Sequence, residues 1–90
     1  MDVQHQPEAE RFVVELDGHE AEVNYRLDGD VLAITHTGVP QAIGGRGVAG
    51  ALVRAAFEHA RANGLRVRPL CSYAAAWAQR HPEQADIVAG

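Results

Sequence analysis

The chain has 90 residues, of which 47% are hydrophobic and 22% charged, and it carries a formal net charge of −4 at pH 7. This length allows one domain with a single modest core, and the acidic balance without lysine excludes a protein that coats nucleic-acid phosphates. No apolar run could span a bilayer, no secretory signal is visible at the start, and one cysteine cannot form an internal disulfide, so we expect a cytoplasmic protein that does not bind membranes.

The first half of the chain has the alternating pattern of β-strands. Apolar and polar residues alternate over residues 11–16 and 21–27, which predicts the two half-buried strands of a hairpin. Residues 31–35 are apolar on both faces and predict a central strand that is covered on both sides. The pairing of this strand should fail near Pro40, because proline has no amide hydrogen to donate. The polar residues 1–9 are expected to be flexible.

The second half of the chain changes to helical periodicity. Apolar residues recur on one face from Val48 to Ala62, and Asn63-Gly64 then supplies a left-handed stop. A short strand over residues 65–71 and a last helix from Tyr73 to Arg80 follow. Because a helical crossover joins parallel strands, we predict an α+β fold in which an antiparallel three-strand meander leads through a helix to a parallel fourth strand and a C-terminal helix. The whole chain, residues 1–90, forms one domain.

Residues 44–50, Gly44-Gly45-Arg46-Gly47-Val48-Ala49-Gly50, are called the glycine loop and run into the first predicted helix. Glycines let backbone approach a ligand, and a helix N-terminus attracts anions, so the loop predicts a phosphate site. A P-loop is excluded, because no Gly-Lys-Ser/Thr follows the glycines. A dinucleotide fingerprint is disfavoured, since about eight residues separate the loop from the preceding strand and no acidic residue ends the next strand. The alternative is a flexible helix start without a ligand.

The glycine loop and its flanking segments resemble the GNAT superfamily of acetyl-CoA-dependent N-acetyltransferases, in particular its minimal single-domain, YjdJ-type predicted members. The resemblance covers residues 11–86. At one position the chain departs from the superfamily pattern, because Gly44 stands where glutamine or arginine is usual. The residues that carry the resemblance are His36-Thr37-Gly38-Val39-Pro40, Arg46-Gly47-Val48-Ala49, Ala55-Ala56-Phe57-Glu58-His59-Ala60, Pro69-Leu70-Cys71-Ser72-Tyr73 and Arg80-His81-Pro82-Glu83.

The resemblance implies that acetyl-CoA or CoA binds as a cosubstrate, without a metal. It places the pantetheine arm between the third and fourth predicted strands, where it pairs with backbone near Thr37 and Val39. The pyrophosphate would lie at the start of the helix. The cofactor-binding residues predicted in this way are Thr37, Val39, Gly44, Gly45, Arg46, Gly47, Val48, Ala49 and Gly50.

Three residues are candidates for chemistry in an N-acetyl transfer to an amine of a small molecule or a protein. The resemblance implies Tyr73 as the general acid, Cys71 could form an acetyl-cysteine, and His36 is a candidate base. Each also has a structural interpretation: packing for Cys71, anchoring of the last helix for Tyr73, and a strand-end hydrogen bond for His36. The alternative function is a non-catalytic CoA-, acyl-CoA- or partner-binding module. In both cases we expect a monomer or weak homodimer, with CoA and an amine as partners and no nucleic acid.

Overall fold

Five strands form one mixed sheet, in which they lie side by side in chain order. The computed structural model describes residues 1–89. The first four strands are antiparallel, and the fifth is parallel to the fourth. The elements are β1 Gln4–Gln6, β2 Arg11–Leu16, β3 His19–Asp28, β4 Val31–Gly38, α1 Val48–Ala62, β5 Arg66–Pro69 and α2 Ser72–Arg80, with short 3-10 helices at Pro7–Ala9, Gln41–Ile43 and Pro82–Ile87.

The predicted α+β topology is confirmed, with α1 as the crossover between β4 and β5. β1 was not predicted. Residues 1–9 were expected to be flexible, whereas Gln4–Gln6 pairs with β2. Because the two glutamines of β1 are polar, this segment lacks the alternating apolar pattern that predicts a strand. Only His5, opposite Phe12, faces the core side.

Both helices pack on one face of the sheet. The apolar side of α1 is fully buried, and Trp77 of α2 lies against Phe57 of α1. The other face, here the open face, carries no helix within residues 1–89. The prediction that the central strand is covered on both sides is confirmed all the same, because Leu32, Ala33 and Ile34 are all buried. Ala33 on this face is only 2% exposed, between Arg26 and Arg68 on the neighbouring strands, because the stems of arginines can cover apolar surface. The open face also carries Arg11, Glu15, Glu20, Glu22, Asn24 and His36.

β4 separates from β5 halfway along its length, and we call this separation the splay. Regular pairing ends where Ile34 lies beside Pro69, and the amides of Leu70 and Cys71 both donate to the Ile34 carbonyl, at 2.9 and 3.2 Å. Beyond Ile34, β4 continues to Gly38 and pairs only with β3. The splay therefore leaves one edge of β4 without a strand partner in the described part of the chain.

A β-bulge at the beginning of the splay decides which side chains face it. Asn24 pairs with His36 and Tyr25 pairs with Ile34, so Thr35 is an extra residue in β4. An extra residue reverses the alternation of side chains beyond it. Thr37 therefore faces the helices, and His36 lies on the open face.

The histidine of β1 makes stability depend on pH. The His5 ring stacks on Phe12 at 4.2 Å, its Nε2 lies 2.6 Å from the Tyr25 hydroxyl, and His59 meets its ring edge at 4.4 Å. Burial, followed by the charge of His59, lowers the pKa of His5 below its ordinary value of 6.5. The unfolded chain thus binds protons more readily than the folded chain as the pH falls through about 6.5, and folding stability is lost in that range.

We expect urea denaturation to give a lower free energy of unfolding at pH 5 than at pH 7.5. The variant His5→Gln, which has no titrating imidazole, should lose less stability over the same interval. Equal losses in the two proteins would contradict the assignment to His5.

Candidate functional site

A cavity of about 280 Å³ lies where the glycine loop, the end of β4, the start of α1 and α2 meet. It brings together most of the predicted cofactor-binding residues with one predicted catalytic residue, Tyr73. Thr37 and Arg46 do not line it. The lining residues are Val39, Gly44, Gly45, Gly47, Val48, Ala49, Gly50 and Tyr73.

Two glycines of the loop are required by the backbone conformation. Gly45 and Gly47 have φ of +78° and +77°, the left-handed region that side chains rarely adopt, and a Cβ at either position would meet nothing within 4 Å. Gly47 is also the N-cap of α1, and no side chain caps the helix there. The amides of the first turn have no partner within the helix, so they remain available to an anion. No acidic residue lies in that turn to compete for them.

Gly50 and Arg46 have different surroundings from the other loop residues. Gly50 lies inside α1, where an added Cβ would be 3.4 Å from the Tyr73 hydroxyl and 3.8 Å from Nε1 of Trp77. A Cβ at this position would therefore be in ordinary contact with α2. The guanidinium of Arg46 pairs with Asp17 in the β2–β3 turn, and Arg46 is not among the residues that line the cavity.

Thr37 and Cys71 face each other across the splay. Thr37 Oγ1 and Cys71 Sγ lie 3.3 Å apart, which is hydrogen-bond distance for sulfur. The same sulfur accepts from the amide of Ala74 at 3.4 Å, so Cys71 is the N-cap of α2. The thiol is half-buried and has two partners. In this structure Cys71 holds the end of β4 to the start of α2.

The three candidate catalytic residues do not form one cluster. Tyr73 lines the cavity, and its hydroxyl makes no hydrogen bond to another group within residues 1–89. Cys71 lies at the splay on the same side of β4. His36 lies on the open face, exposed, with Nε2 only 3.0 Å from where a Cβ of Gly38 would be. Chemistry that uses both Tyr73 and His36 would therefore act from the two sides of β4.

Trp77 was not predicted as a neighbour of the site. Its ring is almost fully buried beneath Arg54 and stacked on His81 at 3.8 Å, while its Nε1 points towards Gly50. Its closeness to the glycine loop depends on the packing of α2 on α1, and no local pattern reports that packing.

Two further properties concern the described residues as a whole. Residues 1–89 contain no group of three or more His, Cys, Asp or Glu side chains that could hold a metal ion. Neither α1 nor α2, as described, is long and apolar enough to cross a membrane.

The fold and the glycine loop at a helix start are those of an acetyltransferase family. The family described as GCN5-related N-acetyltransferase matches residues 11–87, and the chain belongs to it. A GCN5-like candidate N-acetyltransferase from Staphylococcus aureus, whose structure was determined by NMR in solution, has the same fold. It superposes with a TM-score of 0.78 at 32% identity, over 99% of this chain and 88% of that chain. The predicted family is thus confirmed, and the narrower YjdJ-type grouping stays a prediction.

Proposed function

We propose that this protein binds acetyl-CoA and transfers the acetyl group to an amine. The observation that carries the proposal is the continuity of two features, the glycine-loop cavity and the splay of β4. Val39 lines the cavity and directly follows the splayed part of β4, so a ligand in the cavity can extend along that strand. An elongated molecule with phosphates at one end and a thioester at the other matches this arrangement.

The glycine loop fits the pyrophosphate of CoA. Gly45 and Gly47 leave the space above the backbone open, and the first turn of α1 offers amides without partners. Side-chain charge contributes little, because Arg46 is paired with Asp17 and position 44 has no side chain. We therefore expect an anion to be held mainly by backbone and by the helix dipole.

The edge of β4 beyond Ile34 fits the pantetheine arm, which contains two amide groups. This edge has no strand partner on the β5 side, so its backbone groups can pair with those amides as a neighbouring strand would. Thr37 and Val39 lie on this stretch. The hydrogen bond between Thr37 and Cys71 marks the narrow end of the gap, and the thioester would lie beside it.

The chemistry then needs a base, an oxyanion donor and an acid. His36 accepts the proton of the attacking amine, and a backbone amide near Val39 stabilises the oxyanion. Tyr73 donates a proton to the departing thiolate, since its hydroxyl lies in the cavity without another partner. Cys71 keeps its structural role as the cap of α2, so transfer is direct and no acetyl-cysteine forms.

A second candidate function is CoA or acyl-CoA binding without efficient catalysis. One observation favours it: His36 and Tyr73 lie on different sides of β4, so no preassembled catalytic group is present. The two functions share the cofactor site and differ only in turnover. Release of CoA that depends on an added amine would support the transferase, and binding without release would support the second function.

Binding of CoA is the direct test. At about 100 times Kd, a ligand that binds only the folded state adds about 2.7 kcal/mol of stability, which corresponds to a rise in Tm of about 15 °C for a domain of this size. The fluorescence of Trp77, the single tryptophan of the chain, should change as well, because its Nε1 lies beside Gly50. Pantetheine, which lacks phosphates, is the matched control and should shift Tm much less. No shift with CoA and acetyl-CoA would contradict both functions.

A further inference from the structure

We propose that Glu22 is a positioning residue for His36, and that the two side chains form the proton-accepting pair of the transfer on the open face of the sheet. This inference rests on the proposed function. It adds a residue on β3 that belongs to none of the predicted site segments.

The strand register and a missing side chain bring the two groups together. Glu22 pairs with Gly38 and Asn24 pairs with His36, so Glu22 and His36 are diagonal neighbours on the open face. The position opposite Glu22 has no side chain. The imidazole of His36 folds into that space, with Nε2 3.0 Å from where the Cβ of Gly38 would be. Gly38 thus lets the ring turn towards the end of β4, which is the splayed end.

Neighbouring groups hold the carboxylate of Glu22 charged and fixed. It accepts from Arg11 at 2.8 Å and from Asn24 at 3.4 Å. The bond to Arg11 lowers the pKa of Glu22, and the charge of His36 contributes in the same direction, so the carboxylate is anionic at neutral pH. No hydrogen bond joins Glu22 to His36, so the effect of the carboxylate on the imidazole is electrostatic. The other charged groups on this face are Asp2, Arg11, Glu15, Glu20, Arg26, Asp28, Arg66 and Arg68.

This arrangement supports a balanced transfer. An ammonium group of the acceptor gives one proton to neutral Nε2 of His36, and the freed electron pair forms the new C–N bond at the thioester carbonyl. The C–S bond breaks with its electron pair on sulfur. The remaining excess proton of the nitrogen reaches the thiolate through Tyr73 or water, and His36 returns its own proton to water. An anion beside His36 favours the imidazolium that forms during the first step.

The test compares Glu22→Gln with Glu20→Gln. Both residues accept from the same Arg11 guanidinium. Glu20, which pairs with Glu15, lies on the same face of β3 as Glu22 but two residues further from His36. Transfer from acetyl-CoA to a short peptide with one lysine is followed from pH 5.5 to 9. We expect Glu22→Gln to lower kcat/KM about tenfold across this range while the Tm rise with CoA stays that of the wild type. Glu20→Gln should leave both unchanged.

Gly38→Ala tests the geometry without changing a charge. Its methyl group would lie 3.0 Å from Nε2, so the ring must move and kcat/KM should fall. The Tm rise with CoA verifies that each variant remains folded and binds. Equal profiles for wild type and Glu22→Gln, with transfer intact, would overturn this inference and leave the proposed function standing. CoA binding without transfer in the wild type would overturn this inference and favour the binding module.

Discussion

Replacing Gly47 with glutamate is expected to abolish the rise in Tm that CoA produces and to weaken CoA binding by at least about 100-fold, as expected when a buried anion meets a like charge. The backbone of Gly47 is left-handed, with φ of +77°, and the residue lines the cavity at the N-terminus of α1. A carboxylate there would occupy the space proposed for the pyrophosphate and would repel it. It would also satisfy the helix dipole that the phosphates would otherwise neutralise.

Two glycines provide matched controls for this variant. Gly64, at the other end of α1, is also left-handed, with φ of +69° and free space around a Cβ. Gly64→Glu should therefore lose a similar amount of stability, about 1 kcal/mol from the left-handed backbone, yet retain the CoA shift. Gly50→Ala is unstrained, with its Cβ in ordinary contact with Tyr73, and it serves as a control for stability alone, because it should gain helix stability. If Gly47→Glu bound CoA as well as Gly64→Glu does, the glycine loop would not be the phosphate site.

The elements that the sequence predicted best are those with strong periodicity and a clear stop. The apolar face of α1 and the Asn63-Gly64 stop gave its bounds, Val48–Ala62, as the structure has them. β1 was missed, because Gln4 and Gln6 face away from the core and only His5 carries a signal. The burial of Ala33 was predicted, but the sequence of β4 could not show that its cover comes from arginines on neighbouring strands.

For the candidate site, the sequence indicated where the backbone needs glycine. It could not indicate the register in which β4 pairs with β3. The glycine loop was recognisable, because positions that need φ > 0 leave glycines in the chain. The side of β4 on which His36 lies depends on the bulge at Thr35. With regular alternation His36 would share the face of Ile34 and point into the core. A single extra residue instead turns His36 to the open face and Thr37 towards Cys71. No local feature of residues 31–38 marks that position.

The second large effect is expected from Tyr73→Phe, which should lower kcat for transfer to the lysine peptide about 100-fold while leaving CoA binding intact. The Tyr73 side chain packs against the core, and phenylalanine keeps the ring there. Only the hydroxyl is lost, and it makes no hydrogen bond within residues 1–89. The variant therefore removes a proton donor and little else, so the Tm rise with CoA should equal that of the wild type.

Cys71→Ser distinguishes direct transfer from an acetyl-cysteine. A serine hydroxyl can still accept from Ala74 and bond Thr37, so the cap of α2 and the bridge across the splay are preserved. Under direct transfer this variant should keep most of its activity, and mass spectrometry of the wild type with acetyl-CoA alone should find no acetate on Cys71. If acetate accumulates there and Cys71→Ser is inactive, the nucleophile is the thiol, and the two hydrogen bonds that fix it would be aligning the sulfur for attack.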